Sequence, residues 1–288
     1  MSRLDVFKET LDLIENDSKL RMLTQKAIGE TTIIDEHFTS KKRPYFEKTT
    51  VSISESLTLQ AAERFCREGK KTAVLNFANP VEPGGGVWRG ANAQEEYLCR
   101  ASNLYRCLDS KYAAPYYLGH REQLQRNRHK AFLASDKIIY SKNVTVIRTD
   151  GSAGQDYTDD WYQVDVITCA APCFFTKDDA LSYEQLYPLF CKRIRNIFES
   201  AIENKIEVLI LGAFGCGAFH NPPSVVAKAF RDVLLEDRYK NAFTDVIFAI
   251  KRTDDFFCEN IMFFEEEFLC FPEETTITPE GNKRRFFM

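Results

Sequence analysis

The sequence predicts an α/β fold, a sandwich built on a largely parallel sheet, and three observations carry that prediction. Nearly continuous apolar runs, TAVLNFA (72–78), VDVITCAA (164–171) and EVLILGA (207–213), read as strands buried on both faces. Segments of helical period separate them, the alternation that builds parallel sheets. Each run also passes directly into an unusual loop: NPVEPGGG, AAPCFF or FGCGAFHNPP.

Taken in order, residues 2–29 read as two helices, with Leu4, Phe7, Leu11 and Ile14 at helical spacing. TTVSIS (49–54) reads as a strand, followed by a helix through Leu57–Arg67. After the glycine-rich loop, Tyr97, Ala101, Leu104 and Leu108 form one stripe of a helix over 94–108. Residues 109–135 read as an irregular arm with a short helix, and KIIYSKNVTVIRT (137–149) as two strands around a turn at Lys142–Asn143. Helices over 182–204 and 222–236, the strand DVIFAI (245–250) and a last helix over about 254–267 complete the pattern. The tail, with PEETTITPEGNKRR, is low in hydrophobicity and reads as poorly ordered. The economical division is an N-terminal helical extension (1–47), one large domain (48–268) and a C-terminal tail (269–288).

With 288 residues and 44% hydrophobic residues, the chain can bury a full core. A formal net charge of −4 argues against a broad electrostatic footprint for nucleic acid, and no direct sequence-specific nucleic-acid binding is expected. The charged, amphipathic start MSRLDVFKETLDLIEND is not a secretory signal, and no apolar run approaches the length of a membrane span. Nine cysteines stand as singles with no CxxC, which suits reduced thiols and a cytoplasmic location. Clustered zinc ligands are not found, and His37, His120, His129 and His220 form no visible triad or ligand set.

In open α/β sheets, ligands bind beyond the carboxyl ends of the strands, so the three loops would share one rim. Gly212, Gly215 and Gly217 allow a tight turn with exposed N–H groups, Asn221 can cap the next helix, and Pro222 suits its first turn. A glycine-rich turn feeding a helix N-terminus is an anion site, most often for phosphate; a plain strand–helix turn is the alternative. It is neither a Walker A loop nor a good dinucleotide fingerprint, since no GK[ST] follows and His220 stands where the third glycine belongs.

The other glycine loop, NPVEPGGGVWRGANAQEE (79–96), ends in Glu95 and Glu96 in the first turn of a helix. There the dipole favours ionised acids, which alone would explain them. The density of glycine and the shared rim point further. A glycosidase pair faces across the bond it cleaves, roughly 5 to 9.5 Å apart. Adjacent helical residues diverge by about 100° around the axis, so one acid for chemistry and one for positioning a hydroxyl is the expected arrangement.

GGG (84–86), seven residues, then QEE (94–96) resembles the signature of the poly(ADP-ribose) glycohydrolases. LGAFGCGAFHNPP (211–223) resembles the diphosphate loop of the macrodomain superfamily, and VLNFANPVEPGGG is similar to the bacterial-type branch. The resemblance covers about residues 48–265. It implies a three-layer α/β/α macrodomain-like sandwich with a mixed sheet, acting on poly(ADP-ribose) or ADP-ribosylated protein and releasing ADP-ribose from the chain end. By resemblance, Glu96 is the general acid that protonates the leaving 2′-oxygen and then deprotonates the attacking water. Glu95 holds ribose hydroxyls, and Asn79, Gly84, Gly85, Gly86 and Gln94 contact or admit the substrate. Gly215, Cys216, Gly217 and Ala218 cradle the diphosphate through N–H groups, and Phe219 packs near the scissile ribose. No metal or cofactor is implied. Cys173 stands where a polar residue such as Asn is expected, and Glu55 is a weak candidate for the adenine amino group. Trp88 and Arg89 read as solvent-side packing. Two alternatives share the fold: a hydrolase for a mono-ADP-ribose linkage to protein or nucleobase, and a macrodomain that only binds ADP-ribose.

Overall fold

The computed structural model describes residues 1–126, 131–151, 154–174, 176, 181–251, 258–269 and 284–287. Two helices, α1 (Arg3–Asn16) and α2 (Ser18–Gly29), lead into a short strand β1 (Thr32–Ile34). The order then runs β2 (Thr50–Ser54), α3 (Thr58–Arg67), β3 (Thr72–Phe77), α4 (Gln94–Ala101), α5 (Leu104–Leu108) and α6 (Ala114–Arg126). Next come β4 (Ala131–Phe132), β5 (Ile138–Gly151), β6 (Gly154–Cys169), β7 (Cys173–Phe174), α7 (Tyr183–Glu203) and β8 (Val208–Leu211). The chain closes with α8 (Pro223–Leu234), β9 (Asp245–Ala249), α9 (Cys258–Leu269) and β10 (Arg284–Phe287).

Eight strands form one mixed sheet in the order β1-β5-β6-β3-β8-β9-β2-β10. The five central strands, β6 to β2, are parallel; β5 and β1 at one edge and β10 at the other pair antiparallel. Strand periodicity sorts the core into two layers. Ala73 and Leu75 of β3, with Leu209 and Leu211 of β8, face the core under α7, α8 and α9. Val74, Val208 and Ile210 face the core under α3, α4, α5 and α6. Helices therefore cover both faces, as the apolar runs require.

Four local expectations are corrected. Residues 94–108 are two helices rather than one. At the break, the Ser102 hydroxyl donates to the Leu98 carbonyl, while Asn103 exchanges hydrogen bonds with the Thr145 backbone of β5. Ser and Asn side chains compete with helical hydrogen bonds in this way, and both halves still face one core, so the apolar stripe survives the break. Residues 137–149 are one strand, not two: the turn signal at Lys142–Asn143 is a β-bulge, with Asn143 at φ 53° and its N–H on Asp165 Oδ1. The tail is not wholly without structure, because Arg284–Phe287 add an edge strand to β2. The arm over 109–135 carries a 13-residue helix, α6, longer than the short one expected. His129 and the start expected for the last helix lie outside the described residues. Among the described residues no helix is long and apolar enough to cross a membrane.

The N-terminal segment packs against the loop that precedes α4. Phe7 is fully buried, edge-on to Trp88 at 4.9 Å and to Tyr105 at 5.0 Å. The Thr10 hydroxyl donates to the Arg100 carbonyl at 2.7 Å and accepts from Arg148 Nε of β5 at 2.8 Å. Phe7→Ala is expected to cost about 3–5 kcal/mol, the usual range for a buried aromatic, and to lower turnover by loosening the Trp88 loop. Urea denaturation beside steady-state kinetics checks both effects.

Candidate active site

The parallel strands all end on one rim. There β3, β6 and β8 release the loops 78–93, 170–172 and 212–222, and the Ala78 N–H donates to the Cys169 carbonyl at 3.0 Å. Between the loops and the start of α4 lies a cleft of about 620 Å³, lined by Thr58, Phe77, Gln94, Gly217 and Phe219 among others. That volume lies within the usual range for small-molecule sites, about 300–1,000 Å³.

The loop after β8 offers donors. The N–H groups of Cys216, His220 and Asn221 close turns onto Ala213, Gly217 and Gly215. Those of Gly215, Gly217, Ala218 and Phe219 meet no acceptor among the described residues, which leaves four donors beside the cleft. Gly215 is held at φ +76°, and a Cβ there would sit 2.4 Å from the Ala171 Cβ, so the loop accepts only glycine at this place. Asn221 does not cap α8. Its Nδ2 donates to the carbonyls of Pro172 (2.7 Å) and Gly215 (2.9 Å), stapling two rim loops together. Pro222 is the N-cap of α8, and Pro223 is its first residue.

The loop before α4 encloses both glutamates, which are 3% and 7% exposed. Glu96 accepts from the Gly86 N–H at 2.7 Å and, reaching back from the first turn of α4, from the Ala93 N–H at 3.0 Å. Glu95 accepts from the Asn79 N–H at 2.7 Å and from Asn76 Nδ2 at 3.2 Å. The angular divergence of neighbouring helix residues does not separate these two groups, because the loop folds back over the helix start. A Cβ placed on Gly85 would lie 2.6 Å from Glu96 Oε1 and 3.0 Å from Glu95 Oε2, so both carboxylates converge on that glycine. The two differ in environment instead. Burial pushes Glu95 up to about 8, with the nearby Glu96 charge adding, against donors from Asn79, Asn76 and Gly84 that pull it down.

A carboxyl raised in the folded state binds a proton that the unfolded chain, with its ordinary value near 4.5, releases. Glu95 therefore contributes stability below about pH 4.5, and the contribution is lost as pH rises to about 8. Melting temperatures across that window are expected to fall with pH in the native protein and to fall less in Glu95→Gln.

Asn79 uses its Oδ1 to accept from the Val81 and Glu82 N–H groups, shaping the loop. Gln94 lines the cleft, but its amide clamps α4 to β3: Oε1 accepts from the Phe77 N–H, and Nε2 donates to Thr58 and to the Leu75 carbonyl. Gly84 and Gly86 are buried beside Gly85, and Phe219 lines the cleft with Ala218. Cys216 is half-buried, and the desolvation of its sulfur keeps the thiol well above the usual range. Trp88 is half-exposed but donates from Nε1 to Tyr105 Oη at 2.8 Å, so it anchors the loop rather than merely covering it. Arg89 pairs with Glu82 across the same loop at 2.7 Å.

Two residues escaped the sequence. Asn76 is a polar residue within an otherwise apolar buried strand, a visible signal in TAVLNF. Arg100, four residues after Glu96, is buried and donates to the Ala91 carbonyl, Asn92 Oδ1 and Gln155 Oε1, holding the loop's descending limb.

A family model described as the microbial-type PARG catalytic domain matches residues 8–149. Among solved structures, the poly(ADP-ribose) glycohydrolase of Deinococcus radiodurans in complex with ADP-ribose is 31% identical, with a TM-score of 0.72 over 86% of this chain and 98% of that one. The chain belongs to the microbial-type poly(ADP-ribose) glycohydrolases. The glycohydrolase of Thermomonospora curvata bound to the inhibitor ADP-HPD is similar too, 29% identical with a TM-score of 0.79 over 92% of this chain and 99% of that one. A search of the curated proteins finds no match. The glycohydrolase fold thus places the GGG loop and the QEE helix at the same rim as the loop after β8.

Proposed function

We propose that the cleft of this glycohydrolase takes the terminal ADP-ribose unit of poly(ADP-ribose) and that Glu96 cleaves the ribose–ribose O-glycosidic bond behind it. The observation that carries this reading is the convergence of Glu95 and Glu96 on Gly85, next to a cleft with four unengaged N–H groups. The diphosphate lies on Gly215, Gly217 and Ala218, with Cys216 shaping their turn and Phe219 against the distal ribose. Glu96 gives its proton to the leaving 2′-oxygen, and the sugar develops oxocarbenium character. The anion so formed is met by the Gly86 and Ala93 N–H groups, donors already in place before the step. Water then adds to the anomeric carbon and passes its proton to Glu96, which restores the acid and leaves free ADP-ribose.

Glu95, neutral up to about pH 8, places no second negative charge beside Glu96 and positions a ribose hydroxyl. Asn79 sets the loop against the same ribose. Substrates that carry one ADP-ribose on a side chain or nucleobase test the reading against its nearest rival. Faster release from polymer than from any singly modified substrate supports it, and the reverse order overturns it.

A further inference from the structure

A second groove, of about 1040 Å³, adjoins the ADP-ribose cleft and shares Leu57, Asn92, Tyr97 and Lys251 with it. One side is the first turn of α1, through Arg3 and Leu4; the other is the catalytic loop and α4, through Arg89 and Arg100. Four cationic side chains, Arg3, Arg89, Arg100 and Lys251, line it against one acid, Glu55. In a chain of net charge −4, that is a local reversal of sign.

The pairing of these cations is incomplete. Arg89 is bound to Glu82, but among the described residues Arg3, Arg100 and Lys251 form no ion pair at contact distance, and the Glu96 charge reaches Arg100 only from farther off. Arg100 is 3% exposed, and its acceptors, Ala91 O, Asn92 Oδ1 and Gln155 Oε1, are all neutral. Burial pulls its pKa down; the Glu96 charge one helical turn away raises it in part and the nearby Arg3 charge lowers it further, so on balance the groove holds positive charge at a cost. An anion bound between them removes that cost.

Resting on the glycohydrolase reading, we propose that this groove is a second subsite for the diphosphate of the ADP-ribose unit adjoining the terminal one. Arg3 supplies an exposed contact and Arg100 a buried charge. The leaving oxygen belongs to that adjoining unit, so its diphosphate must exit close to the catalytic loop that forms one wall of the groove. The N-terminal helix thereby takes a part in substrate recognition, beyond its packing on Trp88.

The test compares two substrates with the same scissile bond: poly(ADP-ribose), and ADP-ribose joined through its distal ribose to the 2′-oxygen of adenosine, which lacks the second diphosphate. Arg3→Glu is expected to lower kcat/KM for polymer about tenfold and leave the adenosine conjugate unchanged, with Arg3→Lys close to native on both. The native enzyme is expected to lose kcat/KM for polymer more steeply with salt than Arg3→Ala does, as released counterions require. Equal losses on both substrates, or no loss on polymer, overturn the subsite while leaving the glycohydrolase reading intact. Failure of the native enzyme on both substrates overturns both.

Discussion

Glu96→Gln is expected to lower kcat by about 10²–10⁴-fold, the usual worth of a positioned general acid, with ADP-ribose binding retained. The amide cannot give up a proton to the leaving oxygen. It also carries only one acceptor, whereas Glu96 accepts from both the Gly86 and Ala93 N–H groups, so one of these donors will face the new NH₂. A stability loss of about 1 kcal/mol accompanies the kinetic effect, as for a lost helix cap. Glu95→Gln should separate from it by acting on substrate positioning, with a larger share of its effect in KM. Steady-state kinetics on polymer, with calorimetry of ADP-ribose binding, distinguishes the two variants; native turnover in Glu96→Gln would contradict the assignment.

Gly85→Ala is the second large effect, and it comes from geometry rather than chemistry. Alanine at φ +57° costs about 1–2 kcal/mol in backbone strain. Its Cβ would overlap Glu96 Oε1 and crowd Glu95 Oε2, and neither side chain can withdraw without leaving its donors. A displacement of about 1 Å in a catalytic group can lower the rate about 10²-fold, so kcat should fall by that order while the protein stays folded. Kinetics and thermal denaturation of the same sample show whether activity is lost ahead of stability.

The layers of the sheet were legible because β3, β8 and β9 are buried on both faces and so carry continuous apolar runs. Element boundaries were less legible where side chains replace backbone partners: Ser102 and Asn103 break a helix without breaking its apolar stripe. Asn143 likewise looks like a turn until the pairing of β5 with β6 is known. At the site, the glycines and glutamates announced themselves by composition. Their roles did not, since a loop folding back over α4 brings Glu95 and Glu96 together where helix periodicity alone separates them. The Arg100–Gln155 hydrogen bond and the Phe7–Trp88 contact depend on long-range packing, which spacing within one segment does not encode.

Hydrolysis of the ribose–ribose bond is tested most directly by the masses of the products formed from purified poly(ADP-ribose). ADP-ribose is expected as the accumulating product, with the remaining polymer shortened by whole units. Polymer left intact, or broken at its diphosphates into AMP-containing fragments, would contradict it.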